Sequence, residues 1–203
     1  QDVTLEGNVA VGTETALAVA GLDGQSIFRA DFAGASDRLR ALPLVRDVQI
    51  ERDWPNGAHI TIVERAPWGV WQVGDQRFAI DDEGFVLDMP PPEGAPVIAQ
   101  TDAPATPIGA GTRVDDGAIA VAQRLIPTAE QTLGRRVVAL EFTQANGLTV
   151  VLDGEVRVTF GDAQAYDFKL AALFAVLQRA EGTGRAVQSV DLRFPERVAV
   201  RWG

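Results

Sequence analysis

The chain lacks cysteine, has a single histidine, and contains no run of about 18 apolar residues. Each absence removes a class of protein. Without a thiol there is no disulfide framework, no thiolate metal site and no cysteine nucleophile. His59 has no second His and no Cys with which to share a metal, and it reads as an outward-facing strand residue. Without a long apolar run no helix spans a bilayer, and nothing within the chain reads as a signal peptide. No serine sits in a G-x-S-x-G elbow. Positive charge is also short, with 18 Lys and Arg against 28 Asp and Glu, a net charge of −10. The nearest approach to a basic stripe is the pair Arg135-Arg136, so a polyanion such as nucleic acid would be repelled.

What is present is an ordinary globular balance, 46% hydrophobic and 23% charged over 203 residues, enough for one large domain or two small ones. DVTLEGN at 2–8 alternates and predicts a short strand. Thr13 is expected to cap a helix running to Ala20, with Gly21 closing it. After QSIF a second short helix is expected over Ala35–Leu42, stopped by Pro43. The stretch QIERDWPNGAHITIVERAPWGVW at 49–71 then sets two alternating runs around a turn. Pro55 fixes φ there, and Asn56-Gly57 tolerates positive φ. Pro67 forbids a regular ladder beyond Arg65. The order strand, helix, helix, strand, strand packs economically as a three-stranded sheet with two helices on one face.

The remainder differs. Short strands are expected at Trp68–Val73, Arg77–Ile80 and Phe85–Leu87. Residues 88–111 hold six of the eleven prolines and read as an extended segment laid across a domain, with Val97-Ile98 inside it. A helix is expected over Asp115–Ile126, then strands at Arg136–Phe142, Leu148–Leu152 and Glu155–Phe160, with Asp153-Gly154 as a tight turn. The clearest helix is Gln164–Ala180, with Tyr166, Leu170, Leu173, Phe174 and Leu177 on one stripe. Strands at Val187–Arg193 and Arg197–Trp202 close the chain, with Pro195 at their bend.

Candidate chemistry is sparse. The carboxylate clusters Asp81-Asp82-Glu83 and Asp115-Asp116 fit a turn and a helix cap better than a paired-carboxylate hydrolase. Gly21 and Gly24 lie between two helices and make a poor phosphate loop. Trp54, Trp68, Trp71 and Trp202 are scattered and fit core and turn packing. No catalytic, cofactor or metal residue is assigned.

The order of motifs resembles the FtsQ/DivIB family of bacterial cell-division proteins. The resemblance rests on V-x-L-x-G-N near the start, G-x-S-I-F at 24–28, LPLVRDVQIERDWPNGAHITIVERAPWGVW at 42–71, FAIDDEGFVL at 78–87 and VDLRFPERVAVRW at 190–202. It implies an α+β fold, with a POTRA domain (β-α-α-β-β) over 1–65 and a mixed, mainly antiparallel β domain with two helices over 66–203. It implies a non-enzymatic divisome scaffold without cofactor, whose partners resemble FtsB/DivIC and FtsL, and which helps link septal cell-wall synthesis to constriction. The chain starts at Gln1 rather than Met, and is expected to be the extracytoplasmic portion of a single-pass protein of the cytoplasmic membrane at the septum.

The resemblance also places a partner-binding edge, where a partner segment adds as a strand, on Arg193, Phe194, Glu196, Arg197, Val198, Ala199, Val200, Arg201 and Trp202. A recruitment surface falls on Val48, Gln49, Ile50, Glu51 and Arg52. The chain departs from some relatives at Gln144-Ala145-Asn146, where they carry a basic pair, and at Arg197 and Arg201, where they carry small residues. Rival readings are a POTRA module of a translocation or outer-membrane assembly machine, and a cell-wall hydrolase using the acidic clusters.

Overall fold

The computed structural model describes every residue but Gln1, Asp23, Ile27, Phe28, Pro195 and Glu196. The expected bend at Pro195 therefore lies outside the described residues, as do two residues of QSIF. Two sheets organise the rest.

The first sheet has three strands, β1 (Asp2–Glu6), β2 (Val45–Asp53) and β3 (Gly57–Glu64), in the order β1-β3-β2. β3 runs antiparallel to β2 and parallel to β1. Helices α1 (Thr13–Ala20) and α2 (Phe32–Arg40) supply the crossover. Ala16, Ala20, Ala35 and Leu39 pack against Val45, Val48, Ile60 and Ile62 in one core. Three local details differ from expectation. Thr13 begins α1 rather than capping it, because its hydroxyl accepts from Asn8 Nδ2 at 2.9 Å and the cap position falls on Gly12. Helix α2 starts at Phe32, earlier than expected, because the Asp31 carboxylate accepts from Gly34 N at 2.9 Å. The β2–β3 turn uses a cis Trp54-Pro55 bond, and neither Asn56 nor Gly57 takes positive φ.

The second sheet has eight strands: β4 (Gly69–Val73), β5 (Gln76–Ile80), β6 (Val97–Gln100), β7 (Val137–Thr143), β8 (Gly147–Leu152), β9 (Val156–Gly161), β10 (Val187–Asp191) and β11 (Ala199–Trp202). Their order is β11-β10-β9-β8-β7-β6-β4-β5. The pairs β4–β6, β6–β7 and β9–β10 are parallel and the other four antiparallel. The proline-rich segment thus does not lie across this sheet. Its Val97–Gln100 run is inserted into it, bonded on both sides. Phe85–Leu87 forms isolated bridges instead of a strand, because Val86 N donates to Thr112 O while Leu87 N donates to Ala79 O. The segment alternates between two neighbours and builds no ladder.

Helices α3 (Asp116–Leu125), α4 (Ala129–Leu133) and α5 (Tyr166–Thr183) join the larger core, one more helix than expected. Helix α3 lies over β8 and β9, and α5 over β10. Asp115 caps α3, accepting from Ala118 N at 2.7 Å. On α5 the buried stripe is Tyr166, Lys169, Leu173, Leu177 and Ala180, whereas Phe174 is 43% exposed. Lys169, the only lysine in the chain, is 2% exposed. Its Nζ donates to Phe160 O at 2.8 Å, Asp162 O at 2.9 Å and Asp162 Oδ1 at 3.0 Å, so every proton of the ammonium has an acceptor. Burial would raise the Asp162 carboxyl, but the hydrogen bonds from Lys169 and Gln164 N, with the Lys169 charge, together outweigh it and hold the group below its ordinary value.

Adjacent residues at the end of β3 stitch in opposite directions. The Glu64 carboxylate turns back and accepts from Val9 N, Ala10 N and Val11 N at 2.7–2.9 Å. Burial alone would raise its pKa, but these N–H groups keep it below the ordinary carboxylate value. The Arg65 guanidinium turns forward to the 81–85 turn, reaching Asp81 Oδ2 at 2.5 Å and Glu83 Oε2 at 2.9 Å.

Candidate partner-docking edge

Strand β11 has one neighbour, β10, and forms an edge of the larger sheet. Gly203 N donates to Ala186 O at 2.8 Å, and the ladder pairs Trp202 with Val187 and Val200 with Val190. Strand alternation then turns the backbone groups of Ala199 and Arg201 toward β10 and those of Val200 and Trp202 outward. Side chains follow the same period. Val198, Val200 and Trp202 pack partly buried against the core, while Ala199 and Arg201 are exposed. Arg185 lies over the Trp202 indole at 4.7 Å. Among the described residues neither Arg197 nor Arg201 makes an ion pair, so both leave positive charge on the rim of an acidic molecule.

The other expected edge residues divide. Phe194 is 60% exposed. Arg193 is not available in the same way. It is tied to Asp191, Nη2 to Oδ2 at 2.7 Å, and to Asn146 Oδ1 at 2.5 Å. The Arg193 hydrogen bond holds the Asp191 carboxyl below its ordinary value. Its role is to fix the loop from which Phe194 projects. Glu196 lies outside the described residues. Asn146, in the Gln144-Ala145-Asn146 segment, is thus a structural partner of Arg193. A cavity of about 300 Å³ opens beside Phe194, lined by Asn146, Phe160, Asp162 and Arg193.

One neighbour of this edge had no sequence signal: Arg185, which lies over Trp202, merely follows a Gly-rich helix end.

The expected recruitment surface is also an edge strand, β2, but a blocked one. Val48 is buried and Ile50 partly so, leaving Gln49 and Glu51 facing out, while the exposed Arg52 lies over the Phe32 ring of α2 at 5.3 Å. The backbone at Val48 is already satisfied. Its N–H donates to Asp47 Oδ1 at 2.8 Å and its carbonyl accepts from Arg40 Nη2 at 2.8 Å. Arg40 and Asp47 also pair at 3.0 Å. The Val48 N–H, and then Arg40, hold Asp47 below its ordinary pKa. Such a clamp interrupts, at Val48, the template that an edge strand offers. The two edges therefore differ: side chains plug β2 at Val48, whereas among the described residues no side chain bonds the β11 backbone.

The acidic clusters are structural. Asp81 accepts from Glu83 N and Phe85 N and from Arg65, and Asp115 caps α3. His59 is half-buried against Thr4, Nδ1 to Oγ1 at 2.8 Å.

A βααββ unit with a blocked edge, followed by a mixed sheet with an open one, defines an α+β protein that carries POTRA architecture ahead of a larger β unit. A family model described as "POTRA domain, FtsQ-type" matches residues 1–65, and one described as "Cell division protein FtsQ/DivIB, C-terminal" matches residues 69–193. The chain belongs to the FtsQ/DivIB family of cell-division proteins. It is similar to the cell division protein FtsQ of Chloroflexus aurantiacus, 27% identical over 90% of this chain and 67% of the relative. Those of Mycobacteroides abscessus (26%, covering 83% and 52%) and Agrobacterium fabrum (29%, covering 95% and 65%) are also similar. The chain spans between about half and two-thirds of the length of these relatives. No helix among the described residues is long and apolar enough to cross a membrane.

Proposed function

We propose that this chain is the extracytoplasmic part of a non-enzymatic divisome scaffold, with a POTRA unit over 1–65 and a β unit over 66–203. A segment of an FtsB/DivIC-like partner, in company with an FtsL-like protein, adds as a strand to β11. Through that contact the scaffold helps couple septal wall synthesis to constriction, at the outer side of the cytoplasmic membrane.

The observation that carries this reading is the condition of β11: outward backbone groups at Val200 and Trp202, apolar side chains on one face, and an Arg197 and Arg201 that make no ion pair among the described residues. Ladder bonds supply the affinity and the side chains supply the choice of partner. The fitting segment alternates apolar residues with acidic ones. Exposed charge pairs contribute only about 0.2–1 kcal/mol each, so binding should survive moderate salt. Titration calorimetry of the extracytoplasmic part of the partner into this chain and into its Val200→Pro variant tests the idea. Proline there removes an outward N–H that the added strand needs. Unchanged affinity in the folded variant rules out strand addition at this edge.

A further inference from the structure

The geometry points to a lock that holds the two sheets in one fixed arrangement, with Arg65 as its bolt and Arg46 as a second catch. The chain between the sheets is very short, since Trp68 N already bonds Ile80 O at 2.8 Å. Brevity alone does not fix an angle. Interfaces between units of one chain leave relative motion as the default unless something holds them.

Here the holding groups are explicit. Arg65 lies at the end of β3 and its side chain is only 11% exposed. It bridges Asp81 and Glu83 while its guanidinium stacks on the Phe85 ring at 3.8 Å. The Asp81 side chain is 1% exposed. Its other oxygen is consumed by Glu83 N and Phe85 N at 2.9 and 2.8 Å. Removing the guanidinium would strand a buried carboxylate, the costly way to break such a pair. Glu83 is shared, because Arg46 on β2 reaches Oε1 at 2.9 Å and Asp82 Oδ1 at 3.3 Å. The Arg65 hydrogen bond holds the Glu83 carboxyl below its ordinary value.

The clasped turn is itself fastened to the larger unit. Arg113 Nε donates to Glu83 O at 3.0 Å, and Gln123 on α3 donates to Asp82 O at 2.9 Å. The lock therefore joins β2 to α3, two elements that belong to different cores. Its consequence is geometric: the outward face of β2 and the open edge of β11 are presented at a set separation.

Because the chain has no cysteine, one label pair can be placed without background. Pulsed electron–electron resonance would be read on a Thr15→Cys, Gln178→Cys chain, both positions being exposed. The parent should give one narrow distance peak. Arg65→Met should broaden that distribution by about twofold or more, as expected for an unlatched unit pair. Should Arg65→Met not fold, Arg65→Met with Asp81→Asn decides, because it removes the bolt without leaving a buried unpaired carboxylate and should still widen the peak. A folded variant of either kind with the parental width overturns the lock. This readout uses no partner, so its failure is distinct from a failure of strand addition at β11.

Discussion

Glu64 and Arg65 are sequence neighbours that face opposite ways, as strand alternation requires, and each therefore serves a different half of the molecule. Glu64 tests the backward stitch. Its carboxyl is held below the ordinary carboxylate value, so its contribution is fully present above that pH and is lost as pH falls through the lower folded value. Glu64→Gln should cost about 1–2 kcal/mol at neutral pH and flatten the acid limb of a denaturation-midpoint profile. A variant with the parental acid limb would show that other carboxylates carry it. At Asp115 the carboxylate caps α3, and Asp115→Ala should lower stability by about 1 kcal/mol without altering the far-ultraviolet spectrum. Loss of a turnover in that variant, with the fold intact, would instead argue for chemistry at the cluster.

Among elements, the informative contrast is between the edge strands β2 and β11. On β11 the alternation assigns different fates to adjacent prolines. Val200→Pro should leave the melting temperature nearly unchanged. Ala199→Pro should lower it, because that N–H faces β10. Equal melting temperatures would mean that the inward and outward sets are exchanged. Strands with tight polar turns were legible in the sequence, as Asp153-Gly154 between β8 and β9 illustrates, where Gly154 takes φ 77° and Glu155 φ 63°. The period of α5 was legible too, although Phe174 fell off the stripe and Lys169 joined it. A hydropathy pattern reads an ammonium as polar and cannot see three waiting carbonyl and carboxylate oxygens. Strand β6 was obscured by flanking prolines, and the five residues of α4 are too few to show a period. That β2 is clamped by Arg40 and Asp47, and β11 is not, depends on strand order and on contacts made after folding. Of the expected docking residues, the alternation of Val198, Val200 and Trp202 was readable, but the tie of Arg193 to Asp191 was not.

In the molecule as a whole, the proline-rich stretch at 88–111 threads a central strand, so limited proteolysis should leave the bonds within Val97–Gln100 intact until the entire sheet unfolds. Early cleavage there, releasing two folded pieces, would be incompatible with β6 as an inner strand. The burial of Lys169 has a different bearing on the same global transition. With one lysine in the chain and that one enclosed, the folded protein offers acylating reagents no ε-amine. The side chain is held at the foot of α5 against the end of β9, so a reagent reaches it only when those elements part. The rate of acylation at this one nitrogen, followed by mass spectrometry, becomes a clock for opening of the core, with no other lysine to blur the count.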